Sequence, residues 1–514
     1  MTESNSNSKR VAINTLVLYC RMFGLMVIGL FTSRITLNAL GVDNFGIYNV
    51  VGGFVVMFSI FSSSLTTAIS RFITVELGKG DQKHLKEVFF TSVSIQIIMS
   101  AIIIVLSEIL GLWFLFNKMT IPDGHIDAAQ WVLHCSVISF AVGLISIPYN
   151  SVIVAHEKMS AFAYIGILEA IMKLLVAYFL YISPVDKLKT FAFLLLCVQI
   201  ILRLIYGIYC KRHFDECRGH LQLTPKLFKE IWGFTSWNLL TNGVYILNTQ
   251  GVNMIMNIYF GVVVNAARGI ANQVNNAVQQ FVNNFTMAIT PQIIKSYATG
   301  NIEYSLNLTC RASRFAFFLM FIIALPVMVE ADMLLKFWLG SPPEYSASFM
   351  IWTILASLSI TVGTPLVSLI MANGNIKKYQ IWMAILGLAP FPATWISFGL
   401  GGDVKWAYFI FFLIYYILIY IRMWLAHNIV HLPYSLYLKG VLLRIHIVSI
   451  ISSFPSIVIK YLMEESMLRF TINCSVCIIT SALAIIYIGI TQTERTTILF
   501  KGKNIIKEKF HLTK

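Results

Sequence analysis

The sequence predicts an all-α polytopic membrane protein with 14 transmembrane helices, built as two pseudo-symmetric six-helix lobes plus two C-terminal helices. Three observations carry this expectation. First, 57% of the 514 residues are hydrophobic and only 12% are charged, whereas soluble domains carry about 25% charge. That apolar content matches the ~280 residues that fourteen spans of ~20 require. Second, long apolar runs alternate with short polar turns along the whole chain. Third, one half of the sequence resembles the other at a fixed offset. Water-soluble, collagenous and disulfide-scaffold architectures are excluded, because Gly (30) and Pro (13) are ordinary and the eight Cys are scattered through apolar stretches.

Read in order, the apolar runs place helices at roughly 11–38, 46–76, 85–116, 128–156, 160–183, 189–212, 229–259, 264–298, 303–331, 346–371, 377–400, 405–428, 440–462 and 467–490. The N-terminus is polar from Met1 to Arg10 and a spanning run follows, so the first helix serves as its own insertion signal rather than a cleaved one. The net charge of +15 resides mostly in short loops. Of the 38 Lys and Arg, 25 fall on the side of the N-terminus and 7 on the other. This bias is the positive-inside rule, not a nucleic-acid signature, and puts both termini in the cytoplasm. The outer loops are short, the longest being about Asn117–Asp127 and Leu334–Tyr345, so no external domain is expected.

The expected organisation is an N-terminal lobe (1–212), a cytoplasmic linker (213–228), a C-terminal lobe (229–430), helices 13 and 14 (431–490) and a basic cytoplasmic tail (491–514). An offset of 220 supports the two lobes. It lays Gly41-Val42 on Gly261-Val262, Phe61 on Phe281, Thr66 on Thr286, Ala68-Ile69 on Ala288-Ile289, Ile73 on Ile293 and Gly80 on Gly300, eight matches without a gap. Six helices separate the copies, an even number, so the repeats are parallel about an axis normal to the membrane. A central cavity between the lobes is expected from such symmetry.

The eighth helix carries the sharpest chemical signal. Asn265, Arg268, Asn272, Asn275, Gln279 and Asn283 recur at steps of three and four, the spacing of one helical face, and Asn276, Gln280 and Asn284 widen the stripe. An amide facing lipid costs several kcal/mol, so this face must meet protein, water or a polar ligand. A few Asn would serve interhelical hydrogen bonding. Nine amides with an Arg exceed that need and point to a wet, sugar-compatible cavity. The seventh helix adds Asn238, Asn242, Tyr245, Thr249, Asn253 and Asn257 as a second wall.

Six basic residues fall inside helices: Arg21, Arg34, Arg71, Lys173, Arg203 and Arg268. Arg21 lies eleven residues past Arg10, ~16 Å along a helix and near the midplane. A guanidinium at that depth is functional by default, although Arg71 and Arg203 sit near enough the inner ends to snorkel. Lys173 follows Glu169 by four residues, the favourable order for an ion pair, which leaves mutual neutralisation and a substrate role both open. The excess of interior bases over the interior acids Glu108 and Glu169 favours an anionic passenger, whose phosphate Arg can clamp in bidentate fashion. The expected diphosphate-binding set is therefore Arg21, Arg34, Arg268, Lys173 and Arg71. Glu108 and Glu169 are the candidates for a coupling ion.

Other features read as structural. Glu330 and Asp332 lie at an outer helix end, where an interfacial role outweighs a metal-holding transferase motif. Cys474 and Cys477 form a CxxC inside an apolar helix without further ligands, and His134 and His156 are isolated. Neither a phosphate loop, a dinucleotide fingerprint nor a nucleophile elbow is present, so no cofactor, metal or hydrolytic activity is expected.

Three segments carry a family likeness: Arg34-Ile35 with Leu40-Gly41-Val42-Asp43-Asn44-Phe45-Gly46-Ile47-Tyr48; Ile147-Pro148-Tyr149-Asn150 through Ala155-His156-Glu157-Lys158; and Ala331-Asp332 through Trp338-Leu339-Gly340 to Pro343-Glu344-Tyr345. In these, and along essentially its whole length, the chain resembles Wzx-type O-antigen and polysaccharide flippases of the multidrug/oligosaccharidyl-lipid/polysaccharide exporter superfamily. The resemblance implies two lobes in a V, alternately open to either side, with two C-terminal helices shaping a groove for a polyprenyl tail. Related lipid II flippases look similar in placing cationic residues on helices one, two and eight, where Arg21, Arg71 and Arg268 fall here. The amide-lined eighth helix departs from that pattern and suits a neutral glycan.

The expected function is translocation of an undecaprenyl-diphosphate-linked oligosaccharide, an O-antigen or capsular or exopolysaccharide unit, from the cytoplasmic to the periplasmic leaflet of a bacterial inner membrane. No bond is made or broken. Expected partners are the lipid-linked glycan, membrane lipids and the polysaccharide polymerase and chain-length machinery. Two rivals remain: a MATE-like cation-coupled drug exporter, which relies on membrane acids, and a membrane glycan polymerase or transferase, against which the short outer loops count.

Overall fold

A computed structural model describes the backbone of residues 2–122, 124–156, 158–183, 186–373 and 377–496. Its side chains are described from Gly24 onward, apart from scattered helix positions. Arg21, Arg71, Asn238, Asn242 and Tyr245, and the basic tail past 496, lie outside the described residues. Every regular element among those described is helical.

In chain order the helices are α1 (Thr2–Val56), α2 (Ser59–Lys79), α3 (Gln82–Asn117), α4 (Ile126–Ala155), α5 (Met159–Ile182), α6 (Lys187–His213), α7 (Pro225–Ile246), α8 (Val252–Phe260), α9 (Val262–Ala298), α10 (Ile302–Val329), α11 (Ala331–Leu339), α12 (Ser346–Ala372), α13 (Lys377–Leu388), α14 (Pro390–Gly399), α15 (Lys405–Val430), α16 (Tyr434–Tyr437), α17 (Leu443–Leu462) and α18 (Met467–Ala484). Eleven helical stretches among the described residues are long and apolar enough to cross a membrane. The expected second, seventh and eighth spans are helical as well, in α2, α7 with α8, and α9, which is consistent with fourteen. The chain is a multi-pass membrane protein.

Local chemistry sets the ends of these helices. Asp81 accepts the backbone N–H of Lys83 and His84 at 3.1 and 3.0 Å to open α3, and Asp186 accepts those of Leu188 and Lys189 at 2.9 and 3.2 Å to open α6. Each such cap is worth about 1 kcal/mol. The first expected helix and the first part of the second instead run together as α1, broken only at Gly41 (φ 80°, ψ 170°). Gly261, between α8 and α9, has nearly the same backbone (φ 78°, ψ −171°). That region is open essentially to glycine alone, so the residues matched by the 220 offset perform the same turn.

Several long spans are interrupted. The second breaks at Met57–Phe58. The seventh passes through a π-helical turn at Leu247–Gly251 between α7 and α8, and the eleventh divides where Pro390 opens α14. Proline removes a helix donor and clashes with the preceding turn, which explains the last break.

The contacts divide the chain into two compact units. The first comprises Met1–Gln273, Pro343–Tyr345 and Gly387–Ala407; the second comprises Val274–Pro342, Ser346–Leu386 and Tyr408–Lys514. Helix α9 contributes to both. In the second unit, α10 is tied to the C-terminal part of the chain at its end and near its middle. Glu330, fully buried just past α10, accepts from Arg469 Nη2 at 3.0 Å and Asn473 Nδ2 at 2.7 Å. Toward the middle of α10, Arg311 and Arg314 donate to Glu494 Oε1 at 2.7 Å each. Burial alone would raise the Glu494 carboxyl, but the Thr491 N–H and the two guanidiniums outweigh it and hold the group below its usual range.

Candidate functional site

The site lies within the first unit, where the chain segments that follow the two glycine turns meet. A Cβ at Gly46 would collide with the carbonyl of Val262, so the start of α9 crosses α1 backbone to backbone. Further along, a Cβ at Gly53 would stand 2.7 Å from Asn253 Nδ2 and 2.9 Å from Gln250 Oε1, and one at Gly269 would stand 2.8 Å from Asn49 Oδ1. Glycine at these positions makes room for amide side chains from the neighbouring helix.

Those amides form a network. Asn265, fully buried, donates Nδ2 to both the backbone and side-chain oxygens of Asn253 at 2.8 and 2.9 Å, and its Oδ1 accepts from Asn257 Nδ2 at 3.1 Å. Asn257 also accepts the backbone N–H of Thr120 at 3.0 Å and donates to the Thr120 carbonyl at 3.3 Å. Asn253 donates to the Asn49 carbonyl at 3.4 Å. Buried amides are tolerated at this depth because they satisfy one another.

Beside the network opens a cavity of about 220 Å³. Tyr48, Asn49, Gly52 and Gly53 of α1, Gln250 of the π-helical turn, Asn253 of α8, and Asn265, Arg268 and Asn272 of α9 line it. Arg268 Nη2 donates to the Thr249 carbonyl at 2.7 Å, and Nη1 lies 3.7 Å from Met256 Sδ. The π-helical turn therefore presents a carbonyl that holds the guanidinium in place, a use typical of such turns at functional sites. Among the described residues lining the cavity none is Asp or Glu. The chamber is amide-rich and its fixed charge is positive.

The expected site residues separate into groups. Arg268, Asn265 and Asn272 line this one cavity. Asn265 is consumed by structural hydrogen bonds, whereas Asn272, half-buried, makes none among the described residues. Asn275, Gln279 and Asn283 lie farther along α9 in the second unit, with Asn275 buried, Gln279 half-buried and Asn283 exposed. Arg34 is half-buried before the Gly41 turn and does not line the cavity. Lys173 pairs with Glu169 at 2.6 Å along α5, and Glu108 of α3 lies 2.8 Å from His134 Nδ1 of α4.

Tyr48, Asn49, Gly52 and Gly53 were missed by the polarity stripes, yet a signal for them existed. The offset of 220 carries Tyr48 onto Arg268, Asn49 onto Gly269 and Gly52 onto Asn272. The cavity is thus walled by equivalent faces of the two copies.

A MatE family model matches residues 20–179. No curated protein matches the sequence. Among solved structures, the lipid II flippase MurJ in an inward closed conformation superposes with a TM-score of 0.69 at 16% identity, covering 91% of this chain and 98% of that one. An inward-facing MATE family multidrug resistance transporter of the MOP superfamily gives 0.60 at 14% identity, covering 81% and 94%. The MATE multidrug transporter DinF-BH gives 0.53 at 15%, covering 80% and 97%. The chain has the fold of these solved structures, a flippase and multidrug transporters.

Proposed function

We propose that the chain is a flippase that moves an undecaprenyl-diphosphate-linked oligosaccharide, an O-antigen or capsular or exopolysaccharide unit, from the cytoplasmic to the periplasmic leaflet of a bacterial inner membrane, with both termini cytoplasmic. One observation carries the reading: a cavity that combines Arg268 with amides and has no carboxylate among its described lining residues. Arg268 balances the diphosphate, as a guanidinium does through paired hydrogen bonds, and Arg21, Arg34 and Arg71 extend the cationic path. Asn272 and Gln250 replace water around the head group, and Asn238, Asn242, Tyr245, Asn275, Gln279 and Asn283 are the further residues assigned to the glycan. The prenyl chain stays in lipid. Residues 1–212 and 229–430 act as the two repeats that expose the site to either side in turn, and the polymerase and chain-length machinery receive the product.

The cation-coupled drug exporter is the second reading. It draws on Glu108 and Glu169, but Glu108 faces His134, Glu169 pairs with Lys173, and neither lines the cavity. The test is reconstitution of the full chain into vesicles with a labelled prenyl-diphosphate oligosaccharide. Losing a charge-assisted hydrogen bond of about 1.5–3 kcal/mol predicts a fall of about 10–100-fold in apparent affinity for Arg268→Ala. Equal transport by wild type and Arg268→Ala refutes the assignment; drug efflux abolished by Glu108→Gln establishes the rival.

A further inference from the structure

A second cavity, of about 330 Å³, lies in the same unit among α1, α2, α4 and α6. Tyr48, Gly52 and Val56 of α1 line both cavities, so the two share one wall. The new one is bordered by Tyr48, Ser136, Ser139, Phe140 and Gln199. Ser139 is 13 residues into α4 and 16 from its end, and Gln199 is 12 into α6 and 14 from its end. Both therefore sit about 18–20 Å along helices that cross the membrane, near the middle of the hydrocarbon layer.

Their hydrogen bonding is incomplete. The hydroxyls of Tyr48, Ser136 and Ser139 and the amide of Gln199 have no partner among the described residues, and none of these atoms is sealed from the cavity. A polar group at this depth costs several kcal/mol when unmet, and four converging on one space call for a polar occupant. A cation is disfavoured because the lining holds no Asp or Glu, and an anion because it holds no Lys, Arg or His. Three hydroxyls that both donate and accept, one amide and two aromatic rings match a neutral polyhydroxylated ring. The volume lies at the low end of the ~300–1,000 Å³ range of small-molecule pockets, which fits a single sugar residue.

We propose that this cavity is a subsite for the lipid-proximal sugar of the substrate, entered from the Arg268 cavity along the Tyr48–Gly52–Val56 face of α1. The inference rests on the flippase reading above: diphosphate at Arg268 delivers the adjoining sugar across the shared wall to Ser136, Ser139 and Gln199. Gly52 has no side chain to obstruct that passage.

Binding to purified full-length protein in nanodiscs tests it, with three probes: a short-chain prenyl diphosphate, the same lipid bearing one N-acetylhexosamine, and the free sugar. Wild type is expected to bind the glycosylated lipid at least tenfold more tightly than the bare one, and the free sugar weakly. Gln199→Leu, which keeps the shape, and Ser139→Phe, which fills the space, should each erase that increment. Arg268→Ala should weaken both lipids alike. Survival of the sugar increment in both subsite variants overturns the proposal. Wild-type binding of bare lipid without any increment overturns the subsite and leaves the flippase reading standing. Binding of neither lipid overturns both, and free sugar bound as tightly as the glycosylated lipid refutes the link to the Arg268 cavity.

Discussion

Asn265 and Asn272 share a helical face seven residues apart, yet opposite consequences are expected on replacing them with alanine. Asn265 is fully buried and engages three partner atoms at 2.8–3.1 Å. Its removal strands the Asn253 carboxamide oxygen and one Asn257 N–H, although Asn257 keeps its contact to the Thr120 carbonyl at 3.3 Å. An orphaned buried polar group costs about 1–3 kcal/mol, while interhelical hydrogen bonds in membranes average about 0.6 kcal/mol. Two stranded groups away from lipid favour the larger figure, so the loss for Asn265→Ala is about 2–4 kcal/mol. An unfolding entropy of ~2.1 cal/mol/K per residue puts roughly 1 kcal/mol at each degree for a chain of this length, and a Tm drop of about 2–4 °C follows. Asn272 makes no hydrogen bond among the described residues and lines the cavity, so Asn272→Ala should leave Tm within about 1 °C, a change of ≲ 0.5 kcal/mol, and reduce glycolipid transport. Thermal unfolding in detergent and vesicle transport, measured on both variants, check the pair. A destabilised Asn272→Ala beside an unaffected Asn265→Ala would refute the division of the stripe into structural and ligand-facing amides.

Two further outcomes follow from the same geometry. Gly269→Val places carbon within 2.8–2.9 Å of three Asn49 side-chain atoms; overpacking of this kind costs about 1–3 kcal/mol, and both a lowered Tm and impaired binding of prenyl diphosphate are expected, with unchanged binding counting against the cavity's role. Glu494 has a depressed carboxyl pKa in the folded state, so its stabilisation is complete above the usual carboxylate value of 4.5 and fades as pH falls through the lower folded value. Glu494→Gln should therefore be less stable than wild type at neutral pH and converge with it under strong acid; a constant gap in Tm down to pH 2 contradicts this.

The helical class and the place of nearly every span were legible because lipid imposes a continuous apolar run that no soluble context demands. The interruptions were less so. Pro390 announces the break before α14, but the π-helical turn at Leu247–Gly251 has no comparable sequence mark, since its residues are ordinary for a helix. At the site, Arg268 and the amides stood out by polarity at membrane depth. Polarity could not separate Asn265 from Asn272, because hydrogen-bond partners such as Asn253 and Asn257 come from another helix whose register only the fold supplies. Nor could it distinguish Glu330, which read as interfacial from its helix end and is instead fully buried against Arg469 and Asn473.

The internal repeat explains why the cavity is asymmetric in charge though symmetric in backbone. Gly41 and Gly261 turn the chain alike, so the segments after them project equivalent faces, and Asn49 meets Gly269, the residue in its own equivalent position. Such self-equivalent contacts arise next to a symmetry axis. A strictly repeated sequence would place like charges together there, at a cost set by the low dielectric. The two copies have diverged instead: one supplies Tyr48 and Gly52 where the other supplies Arg268 and Asn272. One copy thus brings a guanidinium and a carboxamide to the cavity wall, and the other a phenol and a bare glycine.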